Sequence, residues 1–557
     1  MSLSLLVRSN DDLSSDAPPP TQCGPAACLR CLGIPELLDV ILRDVYGQGD
    51  GRGSIASFAV TSKEFHAGAI AVLWEEMETL VPLLNLIPPD VWNYVRKDED
   101  PALAWLRLPH PRDRIMRSLE WYGQHIKRIT WDQDQGNDMY ILQESTIGLL
   151  AYLPSTIQLL PNVRSFEWTE HGPSAGLTLL NTRSFANSLL QELMLDMALT
   201  EENPVASVLD VVRRQCPKLN TLRLVGEADA PLDVAVSVAL ADLIRSVGLV
   251  EFSCTCPLFD EVLVAVAQSP SLKSVEVKAD WCTLDNAVIS VLPYAFPFVQ
   301  DLTLRLEILD GSSLALLTKL KSDTLVNLSL HVTSEVYDDD LLIKHLVALT
   351  KAPFAETLRK IELHAWCMDS ESDQDESNPC TVTLKTLQPL LRLRQLTHFS
   401  IYAKQFSLSS ADIRTIAGAF PNVEALELMP TLVMGTEPSV EALQHLVELC
   451  PSLTLIVMPI TVAFGVPTIR PGWKSSSRIT VYTIVTAQDL SGDPQISAYI
   501  SALFPASSSD EVYEASDITG EAKEQYVETE ELKLEQTPSE SAASARSHVD
   551  GWPKMLT

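Results

Sequence analysis

One apolar spacing, written twelve times, constrains this chain more than any other feature. From Ile126, and again from Val163, Leu190, Leu219, Leu249, Leu272, Val299, Leu325, Leu358, Leu396, Val423 and Leu453, an apolar residue is followed by others at i+3 and i+5. Leu219-Asn220-Thr221-Leu222-Arg223-Leu224 and Val423-Glu424-Ala425-Leu426-Glu427-Leu428 are two complete copies. The mean period is about 30 residues, close to the repeat lengths of solenoid arrays. Apolar residues alternating over a short run predict a strand with one buried face. Each repeat of such an array touches only its neighbours, so a chain of 557 residues can form one long unit instead of several packed domains. An array of this kind makes surface, and its chemistry is binding.

The segments between copies support strand, turn and helical return. Asp233 to Val247, Asp339 to Leu349, Ala411 to Phe420 and Val440 to Cys450 carry helical patterns. Phe420-Pro421-Asn422 and Cys450-Pro451-Ser452 end two of these helices with proline, and Cys216-Pro217-Lys218 and Ser269-Pro270-Ser271 repeat the punctuation. A degenerate copy at Ile479–Ile484 and a closing helix from Pro494 to Phe504 extend the array. It is therefore placed at 124–505, with about 12–13 repeats. Asp369 to Glu376 is an acidic excursion from one of its loops.

Hydrophobic residues make up 46% of the chain, enough for a continuous core, and the formal charge is −32. That sign argues against nucleic acid, which needs a basic stripe, and against an anionic membrane surface. A protein partner with basic recognition segments fits better. The ten cysteines show no framework spacing, as expected of reduced thiols in the cytoplasm or nucleus. No apolar run approaches the length of a membrane span, and Leu5-Leu6-Val7 is too short for a secretory signal.

Residues 1–27 are polar and proline-rich, and residues 506–557 hold twelve acidic residues against four lysines and arginines. Both are expected to be disordered. Residues 89–123 are read as a helical linker that caps the first repeat. Residues 28–88 form a small helical module, with Ile34, Leu37, Leu38, Ile41, Leu42 and Val45 on one helical face and a second helix from about Ser62.

The run Ile34-Pro35-Glu36-Leu37-Leu38, then Phe58-Ala59-Val60-Thr61-Ser62-Lys63-Glu64-Phe65, then Leu73-Trp74 resembles an F-box. With Pro82 to Pro88 and the repeats that follow, the chain is similar to fungal-type F-box proteins with leucine-rich repeats. Three departures stand out. Ile34 replaces the opening leucine, Ser62 and Phe65 replace the usual cysteine and tryptophan, and glycines at 47–53 lengthen the first connection. The resemblance implies an α/β fold: an all-helical F-box, then a curved solenoid with a parallel sheet on its concave face and helices on its convex face. It also implies an SKP-type adaptor bound through Pro35, Leu37, Leu38, Ile41, Phe58, Phe65 and Trp74, and through it a cullin scaffold. The chain would then be a non-catalytic substrate-recognition subunit of an SCF-type ubiquitin ligase. The alternative is an interaction scaffold whose F-box does not support ubiquitin transfer, or in which those apolar residues are simply core.

In the array the leucines point inward and the intervening positions face out on the concave side. Those positions include Glu167, Arg223, Glu251, Glu276, Lys278, Asp301, Arg305, Asn327, His331, Glu362, His364, His398 and Tyr402. They form either a protein-substrate face or an ordinary solvated sheet face. His331 and His364 occupy equivalent positions in adjacent repeats. They are read as a plain exposed pair or, with His398 nearby, as a metal or pH-sensing pair.

Catalytic and cofactor motifs fail on inspection, and neither a cofactor nor a metal is expected. Cys23, Cys28 and Cys31 lack a fourth zinc ligand, and Cys254 fills an inward leucine slot. The glycines at 47–53 lack the lysine and preceding strand of a phosphate-binding loop.

Overall fold

A computed structural model describes residues 32–48, 51–84, 86, 92–95, 103–106, 113–132, 159–169, 186–196, 205–226, 232–279, 292–332, 339–365, 381–430, 437–461, 467, 478–479, 481–486, 494–505 and 511–514. The expected leader at 1–27, the acidic excursion and nearly all of the expected tail lie outside these residues. The chain divides after Glu75 into two compact units.

Among the described residues the first unit holds three helices, α1 (Pro35–Tyr46), α2 (Gly51–Ala59) and α3 (Lys63–Leu73). Pro35 opens α1, where its missing N–H costs nothing. Leu38 and Leu42, one turn apart, bury the inner face of α1. The Ser62 hydroxyl caps α3 by accepting from Glu64 N at 3.2 Å. Ile55 from α2, with Ala69, Ile70 and Leu73 from α3, completes a small core. Gly51 starts α2 so close to the end of α1 that a Cβ there would fall on the carbonyl oxygen of Val45.

The second unit is built on one 15-stranded parallel sheet. Its strands in chain order are β1 (Glu76–Met77), β2 (Arg128–Asp132), β3 (Ser165–Thr169), β4 (Glu192–Asp196) and β5 (Thr221–Val225). They continue as β6 (Glu251–Pro257), β7 (Ser274–Ala279), β8 (Asp301–Leu306), β9 (Asn327–Val332) and β10 (Lys360–Ala365). The last five are β11 (His398–Ala403), β12 (Ala425–Pro430), β13 (Leu455–Pro459), β14 (Val481–Thr486) and β15 (Glu511–Glu514). Sheet order follows this chain order. Each of the twelve apolar copies forms one strand, β2 to β13, and the degenerate copy forms β14. The i, i+3 and i+5 residues are inward and buried; Leu219, Leu222 and Leu224 are 1%, 0% and 0% exposed.

Helical returns connect the strands. Among those described are α4 (Asp113–Gly123), α5 (Val205–Gln215), α6 (Val234–Ser246), α7 (Asp260–Gln268), α8 (Gly311–Lys319) and α9 (Asp339–Lys351). Later ones are α10 (Ser410–Ala419), α11 (Glu441–Leu449) and the closing α12 (Pro494–Leu503). The starts of α6, α8 and α10 are capped by side chains that satisfy otherwise orphaned N–H groups. Asp233 accepts from Ala235 N and Val236 N, while Asp310 with Ser313, and Ser409 with Asp412, form capping boxes.

A second signal runs through the array at the residue three before the first leucine. Asn187 Nδ2 donates to Val163 O at 3.2 Å, Ser322 Oγ to Val299 O at 2.6 Å, and the Cys450 thiol reaches Phe420 O at 3.6 Å. In these three repeats the group ties the turn to the preceding repeat, which satisfies carbonyls that the sheet leaves open.

Three expectations are corrected. The linker at 89–123 is only partly helical: Trp92–Val95 pairs antiparallel with Leu103–Leu106 before α4 begins, since aromatic and apolar residues there favour an extended ladder. The sheet begins at Glu76 and not after 124, because Glu76 and Met77 pair in register with Arg128 and Ile129. The expected disordered tail at 506–557 includes ordered chain, since Glu511–Glu514 pairs with β14 as a further parallel strand.

Candidate protein-binding face

Counted from the first apolar residue of each copy, outward positions fall at i+2, i+4 and i+6, and parallel register lines these up as rows across the strands, with one shift at the end of β6, where Pro257 pairs with Lys278. The i+2 row includes Glu251, Asp301, Asn327, Lys360 and His398. The i+4 row includes Glu167, Arg223, Glu276, Glu362, Ser400 and Glu427. The i+6 row runs Lys278, Arg305, His331, His364 and Tyr402. All thirteen face residues read from the sequence fall in these rows. Lys360, Ser400 and Glu427, which that reading passed over, occupy the same register slots.

Charges pair across strands. Arg223 places Nε and Nη2 at 3.0 and 2.7 Å from Glu251 Oε1, and Arg305 does the same to Glu276 Oε1 at 3.0 and 2.8 Å. Within β10, Lys360 Nζ lies 2.5 Å from Glu362 Oε1, while across strands Arg128 Nη2 lies 3.8 Å from Glu192 Oε2. On the described outward side chains of β2–β12, eight carboxylates stand against five lysines and arginines. All three arginines and Lys360 are already matched by a carboxylate of the same face, so the surplus is negative.

The i+6 row turns aromatic at its centre. The His331 and His364 rings stack with centroids 4.0 Å apart, and His364 and Tyr402 stack at 4.1 Å. The plain exposed histidine pair is thereby corrected: His364 is 6% and Tyr402 7% exposed, because neighbouring strands press the rings together. Burial, with Arg305 next in effect, depresses the His331 pKa to about 4; burial, then His331, depresses that of His364 to about 2. His398 is lowered as well, by burial and then Lys360. Among the described residues no group of three or more His, Cys, Asp or Glu could hold a metal ion.

The nest around β10–β12 is densely bonded. Ser329 Oγ donates to Glu362 Oε2 at 2.5 Å, and Tyr402 OH donates to Glu427 Oε2 at 3.1 Å. Ser400, between Glu362 and Glu427 in register, is buried.

In the first unit the adaptor-contact candidates separate into surface and core. Pro35, Leu37 and Ile41 are exposed, whereas Phe58 and Phe65 are half-buried and stacked, with centroids 4.8 Å apart. Leu38 and Trp74 are buried, at 6% and 3% exposed, so they pack the unit and are not contact groups. Cysteine chemistry is quiet. Cys216, Cys254, Cys256 and Cys450 are buried, and burial pushes the Cys216 and Cys450 thiols up to about 11 and about 12. Cys23, Cys28 and Cys31 lie outside the described residues. No described helix is long and apolar enough to cross a membrane.

No protein-family model and no curated protein matches the chain. Among solved structures it is similar to the leucine-rich repeat-containing protein LegL7 from Legionella pneumophila, at 13% identity and a TM-score of 0.30. That match covers 60% of this chain and 95% of the other. What its own strands and register establish is an α/β solenoid of leucine-rich repeats with one long parallel sheet.

Proposed function

We propose that this chain is the substrate-recognition subunit of an SCF-type ubiquitin ligase, with the helical unit docking an SKP-type adaptor and the sheet face holding a protein substrate. The observation that carries the reading is the outer side of α1. Ile34, Leu37, Val40 and Ile41 are 44%, 45%, 63% and 43% exposed, within the very run that resembles the F-box opening. A cluster of exposed large apolar side chains on so small a unit is a docking surface. The repeats supply the long polar face that substrate selection needs. Such a subunit performs no chemistry of its own. It raises the local concentration of a substrate lysine near a transfer module on the cullin scaffold, in cytoplasm or nucleus.

The test is capture of a purified SKP-type adaptor, then adaptor with cullin, by the full chain. Leu37→Asp with Ile41→Asp alters exposed positions, so the chain should stay folded while adaptor capture is lost. Undiminished capture would sink the docking assignment. Capture of adaptor without cullin would favour the scaffold reading.

A further inference from the structure

Ser400 occupies the middle outward position of β11, flanked in register by Glu362 on β10 and Glu427 on β12. It is 5% exposed, and its Oγ makes no hydrogen bond within the chain. Buried hydroxyls are almost always paired, so one that is not marks a site with a missing partner. Neither flanking carboxylate bonds to it. Glu362 is occupied by Ser329 and Lys360, and Glu427 accepts from Tyr402. An ionised carboxylate offers about four lone-pair sites, so each can accept further bonds. Three oxygen-bearing side chains thus stand side by side in one row of the sheet. Its neighbouring rings add no positive charge, since burial keeps His331, His364 and His398 neutral near pH 7. The nearest face cations, Arg305 and Lys360, are already bound to Glu276 and Glu362. An anionic ligand finds no unmatched arginine there, whereas a donor-rich cation finds acceptors.

We propose that Ser400, Glu362 and Glu427 form a subsite for a cationic side chain, a guanidinium or an ammonium, carried by an extended basic segment of the substrate. This deepens the reading of the sheet as a substrate face and rests on it. The carboxylates supply charge, the serine hydroxyl a third acceptor, and the surplus of acid over base along the rows draws the basic segment across the strands.

The experiment is fluorescence anisotropy of the full-length chain with short labelled peptides that alternate glycine with arginine, lysine or glutamate. Arginine or lysine peptides should bind and the glutamate peptide should not. Glu427→Gln and Ser400→Val should each weaken binding about tenfold, while Glu261→Gln, exposed on α7 and off the sheet face, should change it less than twofold. Glu427→Gln keeps an acceptor for Tyr402, so it carries the test even if Ser400→Val lowers the melting temperature. Unchanged binding in Glu427→Gln would overturn the proposal. So would an equal loss in Glu261→Gln, which would mean diffuse surface charge, or binding of the glutamate peptide. Adaptor capture reads the other unit. Its loss beside intact peptide binding removes the ligase reading and leaves the subsite standing; the reverse result removes only the subsite.

Discussion

The imidazoles of His331 and His364 lie face to face at 4.0 Å on adjacent strands, both neutral in the folded chain. An unfolded histidine titrates near about 6.5, so below that pH the unfolded chain binds protons that the folded chain refuses. Stability from this pair is complete above the unfolded value. It is lost as pH falls toward the folded values, about 4 for His331 and about 2 for His364. The melting temperature should therefore drop between about pH 7 and pH 5, and His331→Phe should flatten that drop. Equal slopes for wild type and variant in thermal melts would contradict the account.

Ser313 and His345 join two consecutive returns, α8 and α9. Ser313 Oγ is 2.8 Å from His345 Nε2, and His345 Nδ1 is 2.8 Å from Leu341 O, with both side chains 1% exposed. Ser313→Ala leaves a buried ring nitrogen without a partner and opens the capping box. A loss of about 1–3 kcal/mol is expected from the urea midpoint.

The first unit depends on a backbone contact that only glycine permits. In Gly51→Ala the new methyl would collide with the carbonyls of Val45 and Tyr46, which are main chain and cannot swing aside. Overpacking of this sort costs about 1–3 kcal/mol. Limited proteolysis should cut the variant faster within residues 35–75 and leave the repeats as resistant as before.

Near the amino-terminal end of the sheet, Trp131 and Trp168 stack at 5.0 Å with ring planes 4° apart, and Phe166 lies 5.8 Å from Trp168. Trp168 is fully buried. Trp168→Ala should cost about 3–5 kcal/mol and abolish the exciton signal of the paired indoles in circular dichroism. A stable variant that keeps that signal would count against the stacking.

The array was legible because its rule is periodic. Leucines at fixed offsets both mark the strand and set its register, so a residue such as Arg305 could be assigned outward without a structure. Closeness across strands was harder to read. His364 looked exposed by its alternation, yet stacking between His331 and Tyr402 buries it, and no single-strand pattern encodes that. Ser400 was passed over because serine carries no signal alone; its meaning comes from Glu362 and Glu427, one strand away on either side. Within the helical unit, periodicity placed Leu38 and Leu37 on one broad face, and only packing separated the buried residue from the exposed one. Non-repeating pieces such as Trp92–Val95 and Glu511–Glu514 were missed because nothing recurs in them.

The outermost strands of the sheet are unlike the rest. β1 is 2 residues long and β15 is 4, whereas β6 has 7 and most others 5 or 6. A parallel sheet has two open rims, and each rim offers unpaired amides and carbonyls to any other chain that can lie alongside. A rim of two residues offers too few such groups to hold a foreign strand. With its first rung cut to two residues, the described ladder of fifteen strands resists growth into a fibre from its amino-terminal rim.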